Sequence, residues 1–466
     1  GSGFLASDRY DNRVRRPWAK IPADSLNLSS IAIQSKVVEL QLQAMFDEAS
    51  RTSLSAPKGT PLQQVGDFYA AGLDEKRLTE LGVKPLQPEF DRIAAIKDKK
   101  SLTEALARLS LLTNDAVLLG LQVSTDPLDR TRNMVVIGDG ELPMSLDNYL
   151  KPDNQPIRDA HLKLITDSLV IAGSTPEAAA AVAARVLAMD TRVAAKKLTP
   201  LEMRDPAKLF VRMSYADLKK MLSSIDVDLL FSTLGLPTGS EVVVIHANAA
   251  RERNAMLKEL PLADTRAYLE WELLRRSIPF LTPAFLGPSK AFSEAMYGKI
   301  DFPPRNRMVA AALPGKLGHP IGQVYVAKHF TPETKRDAEE LVQRIRAEFR
   351  ERIEKNTWLE PKTRAAALQK LDAAKITVGH PQDWIDYSGV DIRRDDYLGN
   401  AMRSNEFSAR RNLAKLGKPV VPDGFDDPSA TLPTVVNAGY SPGRNGIEIT
   451  AAFLQAPFFD AKADPA

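Results

Sequence analysis

The sequence of 466 residues contains no cysteine. Disulfide bonds, thiolate catalysis and cysteine-based zinc sites are therefore excluded for this chain. No run of 18 or more apolar residues occurs, so we predict no membrane-spanning helix. The 62 lysines and arginines nearly balance the 59 aspartates and glutamates. The resulting net charge of +3 provides no strong field to attract nucleic acid or acidic lipid.

Local catalytic motifs are also missing. The five histidines are His161, His246, His319, His329 and His380. No two of them lie three, four or five residues apart, so no helix presents a local zinc-binding pair. His329 and Glu333 are four apart, but Pro332 marks a helix start between them. We interpret His246, at the end of an apolar strand, as an interior histidine. Because no G-x-S-x-G, phosphate-binding or dinucleotide-binding motif occurs either, we predict no catalytic or metal-binding residue in this chain.

Amphipathic helices are the main pattern that is present. Apolar residues recur at steps of three and four between residues 332 and 356, forming one stripe: Ala338, Leu341, Val342, Ile345, Phe349 and Ile353. Thr331 fits the N-cap of this helix and Pro332 fits its first position. Further helices are predicted over 102–112, over 206–223 with an interruption near Ser214, over 264–277, and from starts at Pro176 and Pro361. The chain is therefore predicted to be mainly α-helical.

Strand signals are few and short. Residues 116–124 and 133–138 flank a turn-rich segment and predict a hairpin. Residues 241–246 predict a buried strand. Two extended stretches, 434–440 and 446–450, are joined by a Ser-Pro-Gly turn and precede an apolar run that closes on Pro457, Phe458 and Phe459. We expect Trp358 and Trp384 to anchor the core.

Several segments, in their order along the chain, resemble one family. The most specific is a W-x-x-x-x-T-x-x-x-A-x-x-K-L run set by Trp358, Thr363, Ala367, Lys370 and Leu371. The second is the terminal stretch "VNAGYSPGRNGIEITAAFLQAPFF" (436–459). Together with "RDPAKLFVRMS" (204–214) and "LGHPIGQVYVAKHF" (317–330), they resemble the neprilysin family of zinc metallopeptidases. The similarity covers nearly the whole chain and is strongest from Tyr325 onward.

The resemblance implies a role for the extended terminal stretch. In that family the V-N-A segment is an edge strand beside which a peptide substrate pairs. Asn437, through its side chain, and Ala438, through its backbone, are therefore the expected peptide-binding residues. The family places H-E-x-x-H and a later glutamate after the P-F-F element, and there the two histidines and the later glutamate bind zinc. We therefore expect no cofactor in this chain, and expect zinc in a missing catalytic part or in a partner subunit.

Two interpretations follow from the resemblance. In the first, the chain is the amino-terminal portion of a zinc metalloendopeptidase whose catalysis needs another polypeptide. In the second, it is a non-catalytic pseudopeptidase subunit or peptide-binding protein that pairs with an active homologue. Asn27 stands where the family often has an arginine, and Gly439 stands in the turn usually written N-A-Y-Y. The segment usually written F-P-A-G-I-L-Q-P-P-F-F has lost two prolines, to Thr450 and Ala456. These departures favour relaxed or altered substrate binding.

The resemblance also implies an architecture: a mainly α, two-lobed fold around a central cavity, with the catalytic lobe incomplete in this chain. We expect residues 1–45 to pack on the catalytic-side lobe and residues 46–290 to form a helical lid lobe. Residues 291–356 would connect the lobes, and residues 357–466 would form the catalytic-side lobe up to the substrate-binding edge.

Partners, activity and location follow from the same expectation. We expect a peptide substrate, and a zinc-bearing remainder or a homologous catalytic subunit that covers residues 434–450. Alone, the chain is predicted neither to cleave peptides nor to bind zinc tightly, because zinc catalysis needs three protein ligands and an open position. We expect a periplasmic or other extracytoplasmic location, reached through an export signal not present in this chain. The cytoplasm is the alternative.

Overall fold

The computed structural model describes residues 29–299, 301–421, 425, 431–442 and 444–460. Its α-helices, in chain order, are α1 (Ser30–Thr52), α2 (Pro61–Leu73), α3 (Glu75–Leu81), α4 (Gln87–Ala94), α5 (Lys99–Thr113), α6 (Leu146–Leu150), α7 (Gln155–Ile171), α8 (Pro176–Ala194), α9 (Pro206–Leu209), α10 (Tyr215–Met221), α11 (Val227–Thr233), α12 (Ala247–Glu259), α13 (Leu262–Ser277), α14 (Leu286–Tyr297), α15 (Arg305–Ala312), α16 (Pro314–His329), α17 (Pro332–Glu354), α18 (Pro361–Ala373) and α19 (Tyr397–Leu413). Its strands are β1 (Gly120–Thr125), β2 (Asn133–Gly138), β3 (Phe210–Met213), β4 (Val242–Ile245), β5 (Lys375–Gly379), β6 (Ala438–Ser441) and β7 (Gly446–Thr450). The prediction of a mainly helical chain with a few short strands is confirmed.

Helix starts follow the capping chemistry visible in the sequence. Thr331 caps α17, because its hydroxyl accepts a hydrogen bond from the backbone N–H of Thr334 at 3.2 Å. Thr175 caps α8 in the same way. In both helices proline follows the cap, where its missing N–H removes no intrahelical hydrogen bond. The predicted helices from Pro332, Pro361 and Pro176 are therefore confirmed.

The chain divides into two compact units. One unit comprises residues 29–70, 303–392 and the described residues between 421 and 460. The other comprises residues 71–302 and 393–420. The four segments expected from the resemblance stay a prediction, as does a cavity between lobes. No helix in the described ranges is long and apolar enough to cross a membrane.

The unit formed by 71–302 and 393–420 contains a four-stranded sheet in the order β1–β2–β4–β3. The predicted hairpin is the antiparallel pair β1–β2, and β4 lies parallel to β2. Within the predicted interrupted helix over 206–223, helix forms at Pro206–Leu209 and Tyr215–Met221, and the interruption is the strand β3, Phe210–Met213, which adds to β4. The side chain of Arg212, in β3, contacts the buried carboxylate of Asp126 at 2.7 Å. Asp126 lies 86 residues before Arg212 in the sequence. The strand is thus favoured by a contact that the local sequence pattern cannot reveal.

The unit that contains residues 303–392 has a smaller sheet in the order β5–β7–β6. Strand β7 is central, parallel to β5 and antiparallel to β6. The extended pair predicted at 434–440 and 446–450 is this β6–β7 hairpin, although β6 begins only at Ala438. Strand β5 was not predicted. It has only five residues, of which the last is Gly379, and it forms because it pairs with β7.

The apolar stripe of α17 is mostly exposed. Ala338 is the one residue of this helix that is buried. Ile345 is 55% exposed and Phe349 is 59% exposed. An amphipathic helix normally buries its stripe, so the sequence pattern located the helix correctly but not its packing. Trp358, which follows this helix, is 79% exposed, and the prediction that it anchors the core is wrong.

A buried polar cluster joins four helices of the unit formed by 71–302 and 393–420. Asp190 in α8 is fully buried, and it accepts hydrogen bonds from Tyr268 at 2.9 Å and from Tyr149 at 3.3 Å. Arg253 donates to the Tyr268 hydroxyl at 3.1 Å. Burial, and then the charge of Glu272, raise the pKa of Asp190 to about 6. Asp190 therefore takes up a proton in the folded state at a pH where an unfolded aspartate stays ionised.

We predict that Asp190→Asn removes a pH-dependent part of the stability. Because the folded pKa lies above the unfolded one, Asp190 adds stability as pH falls from about 7 towards 4. The gain is on the order of 1 kcal/mol at pH 5. The free energy of unfolding, measured with urea, should thus fall less for the variant between pH 5 and 7.5 than for the wild type. An equal pH dependence in the two proteins would contradict the prediction.

Candidate peptide-binding edge

Strand β6 lies at the edge of its sheet. It pairs with β7 on one side, and no strand of the described chain pairs with its other side. Residues 437–440 are all exposed. An exposed edge strand presents unpaired backbone groups on which another chain can add a strand. An edge strand, as the resemblance implies, is therefore present at 438–441, and no described strand covers it.

The hydrogen-bond register shows which groups point outward. The N–H of Thr450 donates to the carbonyl of Asn437 at 3.2 Å, so these two residues form a hydrogen-bonded antiparallel pair. Such pairs alternate with pairs whose N–H and C=O groups both point away from the partner strand. Ala438, opposite Ile449, and Tyr440, opposite Ile447, occupy the alternate positions. The N–H and C=O groups of Ala438 and Tyr440 are therefore directed to the open side.

The segment that follows β7 is tied to two helices. Gln455 donates to the hydroxyl of Tyr325 at 2.7 Å, and Tyr325 donates to Gln41 at 2.7 Å. Gln41 completes the ring by donating to Gln455 at 3.0 Å. Burial raises the pKa of Tyr325 to about 12, against the opposing hydrogen bond from Gln455. The tyrosine thus stays protonated, and the ring of three hydrogen bonds fixes the chain just beyond the edge hairpin.

The outer strand β5 is fixed by close packing at its end. Gly379 has a φ of +81°, and a Cβ at this position would lie 2.2 Å from the ring of Phe330. Nearby, the half-buried Trp384 stacks on His380, with ring centroids 5.5 Å apart. Trp384 also meets His319 edge-on at 5.6 Å. Trp384 thus packs against two histidine rings, but it is half-buried rather than part of the buried core.

The predicted site residues have different positions. The side chain of Asn437 is exposed directly before β6, and Ala438 is the first residue of β6. Their role in binding peptide stays a prediction. Asn27 lies outside the described residues.

Three of the histidines contact neighbouring residues of the fold. His319 is buried, with Nε2 2.8 Å from the carbonyl of Phe425, and its Nδ1 accepts from the N–H of Ile385 at 3.0 Å. His246 accepts from the backbone N–H of Leu198 at 3.2 Å. His329 is the last residue of α16 rather than a loop residue, and its ring lies 4.9 Å from that of Tyr325.

The described residues of this chain do not form a site that fits the zinc ion implied for the family by the resemblance. The printed sequence contains no H-E-x-x-H. Within the described ranges, no three histidine, aspartate or glutamate side chains lie close enough together to hold a metal ion. We therefore derive no catalytic step through zinc from these residues.

Comparison with known proteins fits this geometry. The sequence model of peptidase family M13 matches residues 15–381. The chain belongs to peptidase family M13. The resemblance to neprilysin-like zinc metallopeptidases is thereby confirmed.

Human endothelin-converting enzyme 1 is 25% identical over 412 residues, which are 84% of this chain and 53% of that protein. An endothelin-converting enzyme homologue from Locusta migratoria is 26% identical over 91% of this chain and 62% of its own length.

Solved structures agree with the family. The zinc metalloprotease Zmp1 of Mycobacterium tuberculosis, in its open state, superposes with a TM-score of 0.88 at 28% identity. The match covers 98% of this chain and 70% of the Zmp1 chain. The two-lobed, neprilysin-like fold class is therefore confirmed. The M13 chain described here spans about half the length of the first curated relatives that it matches.

Sequence reasoning missed the residues that hold the edge in place. Gln41 and Tyr325 carry no local signal, because their partner Gln455 lies 414 and 130 residues away along the chain. Thr450 was visible only as the loss of a proline. Its role could have been inferred by pairing the two predicted strands, which places Thr450 opposite Asn437.

We predict that Gly379→Ala weakens the edge sheet, whereas Gly439→Ala does not. The first substitution combines a left-handed backbone with overlap against Phe330, which together cost roughly 2–4 kcal/mol. A Cβ at Gly439 would meet no described atom within 4 Å, so its effect should stay within about 0.5 kcal/mol. Chemical denaturation measures both. Equal stabilities of the two variants would contradict this packing.

Proposed function

We propose that this chain is the peptide-binding portion of a neprilysin-like zinc metalloendopeptidase. The observation that carries the proposal is the open side of β6, where Ala438 and Tyr440 direct their backbone groups outward. A bound peptide extends the sheet in the order β5–β7–β6–peptide. Main-chain hydrogen bonds then provide affinity that is largely independent of the peptide sequence. Asn437 contributes its exposed side-chain amide to the peptide main chain.

The two ends of the edge are held, which limits the entropy lost when a peptide binds. Tyr440 donates to Asn445 at 3.1 Å across the hairpin. The ammonium group of Lys370 lies 5.6 Å from the centre of the Tyr440 ring, a favourable cation–π distance. The other end is fixed beyond β7 through Gln455. The strand is therefore arranged for peptide addition before the peptide arrives.

Hydrolysis is assigned to a zinc-bearing polypeptide of the kind that the resemblance implies. The residues of this chain bind and align the peptide, and the bond is cleaved elsewhere. The alternative, a non-catalytic subunit beside an active homologue, uses the same edge and differs only in the origin of the zinc-bearing polypeptide. We place the protein outside the cytoplasm, as the resemblance implies.

We predict that Ala438→Pro weakens peptide binding without unfolding the protein. Proline removes the outward N–H, which β7 does not use, so the β6–β7 ladder keeps its hydrogen bonds. Binding of a labelled, unstructured peptide rich in alanine, leucine and serine should weaken at least about tenfold, since one or two hydrogen bonds are lost. Fluorescence anisotropy measures the affinity.

The matched control is Gly439→Ala, whose residue takes part in a pair directed toward β7. It should bind the peptide as the wild type does. The proposal is wrong if Ala438→Pro retains full affinity while remaining folded, or if both variants lose affinity equally.

The partner is proposed to cover the exposed stripe of α17 together with Trp358. Leu341, Ile345 and Phe349 are 38%, 55% and 59% exposed and recur every four residues along one face. Contiguous apolar surface of this kind marks an interaction site. The proposed occupant is the zinc-bearing polypeptide that the resemblance implies, whose apolar surface would cover this stripe.

The charges beside the stripe support an apolar interface. The charged side chains pair with one another along the helix and its C-cap: Arg344 with Glu340, Arg352 with Glu348, and Lys355 with Glu351. A partner therefore does not need opposite charges to neutralise them. Binding through the stripe should thus depend little on salt, because surface ion pairs between the partners contribute little.

We predict that Ile345→Ser with Phe349→Ser weakens association with the partner about a hundredfold. Each side chain contributes ~1.5–3 kcal/mol on burial. The probe is a purified polypeptide that carries the H-E-x-x-H part of an M13 peptidase from the same source. Sedimentation velocity measures the complex, and cleavage of a peptide by the mixture measures its activity.

The control for this experiment is Gln343→Ser, an exposed polar position on another face of α17. It should leave association unchanged. Absence of a complex, or a dimer of this chain formed through the same stripe, would overturn the proposed partner.

A further inference from the structure

Thr450 occupies the junction between β7 and the turn that follows it. It is fully buried. Its carbonyl accepts from the N–H groups of Phe453 at 3.1 Å and Leu454 at 3.2 Å, as in the first turn of a helix. That carbonyl is therefore engaged by the turn. A regular antiparallel ladder would instead use it to accept from the N–H of Asn437, the residue paired with Thr450.

The hydroxyl of Thr450 replaces the engaged carbonyl. Its oxygen lies 3.4 Å from the N–H of Asn437 and accepts from it. The hydroxyl lies 2.5 Å from the carbonyl of Val435, to which it can donate, and 2.9 Å from that of Asn437. Together with the backbone bond from Thr450 to Asn437, these contacts fix both peptide groups that flank Asn437. The chain thus enters β6 in one defined position.

We infer that Thr450 is the positioning residue of the peptide-binding edge, and that it sets the register in which Asn437 and Ala438 meet a peptide. The inference rests on the proposed function of β6. Where the neprilysin-like pattern has proline, this chain has threonine. Proline has neither an N–H nor a hydroxyl, so it could make none of the contacts from Thr450 to Val435 and Asn437.

This changes the meaning of the lost proline. From the sequence, this replacement and the other departures together favoured relaxed or altered substrate binding. In the structure it adds side-chain and backbone hydrogen bonds directly behind Asn437, so the edge is more constrained at this point. We therefore expect narrow tolerance of peptide register rather than relaxed binding.

The test compares three substitutions. Thr450→Val keeps the shape but removes the hydroxyl, Thr450→Ser keeps the hydroxyl, and Thr450→Pro removes both the hydroxyl and the N–H. Peptide affinity should fall about tenfold for Thr450→Val and further for Thr450→Pro, and should stay within about twofold for Thr450→Ser. The probe is the labelled alanine-, leucine- and serine-rich peptide, with a counterpart methylated at one backbone nitrogen.

A loss of stability alone would not alter the response to methylation. Methylation should weaken binding to the wild type and to Thr450→Ser strongly, because it removes a main-chain donor. The loss of affinity on methylation should be smaller for Thr450→Val, because its edge strand can bind the peptide in more than one register. Equal affinity losses for Thr450→Ser and Thr450→Val, or full methylation sensitivity in Thr450→Val, would overturn the inference.

Hydrogen exchange separates this inference from the proposed function. The amide of Asn437 should exchange faster in folded Thr450→Val than in the wild type, with no peptide present. If the wild type ignores peptide altogether, the proposed function fails, and this exchange result still decides the role of Thr450. Unchanged exchange at Asn437 would show that the hydroxyl does not position the strand.

Discussion

A strand at the edge of a sheet keeps half of its backbone donors and acceptors without partners in its own sheet. In this M13 chain the edge strand is β6, and the alternation that begins at the Asn437–Thr450 pair determines which groups remain available. Buried backbone groups in folded proteins nearly always have hydrogen-bond partners. The outward groups of β6 have none in their own sheet, so this side of the strand has to stay exposed while the rest of the unit holds the strand in place. The structure does so by fixing the strand from behind and leaving its front accessible.

The support behind the edge is formed from contacts distant in sequence. The ring formed by Gln41, Tyr325 and Gln455 joins α1, α16 and the segment after β7. Gly379 allows β5 to approach Phe330 more closely than a side chain would permit. These contacts position β7, and β7 in turn positions β6. The candidate site therefore consists of a few backbone groups whose location depends on much of the unit.

The sequence could predict the features that depend on local pattern. The cap at Thr331 and the stripe of α17 located that helix, and turn residues located both hairpins. Strands β3 and β5 were missed because four or five residues carry little periodicity and a distant partner strand fixes each one. The packing of Trp358 was misjudged, since a pattern shows that a residue is apolar but not which surface covers it. The family motif supplied Asn437 and Ala438, whereas the role of Thr450 emerged only from its hydrogen bonds.

The central claim is that β6 binds peptide through its outward backbone groups. Amide hydrogen exchange, measured residue by residue with and without a saturating unstructured peptide, tests it most directly. The account predicts that the amides of Ala438 and Tyr440 become protected on binding. The amides of Asn437 and Gly439, which face β7, should change little. Protection spread evenly over all four residues, or no protection at Ala438 and Tyr440 despite bound peptide, would contradict it.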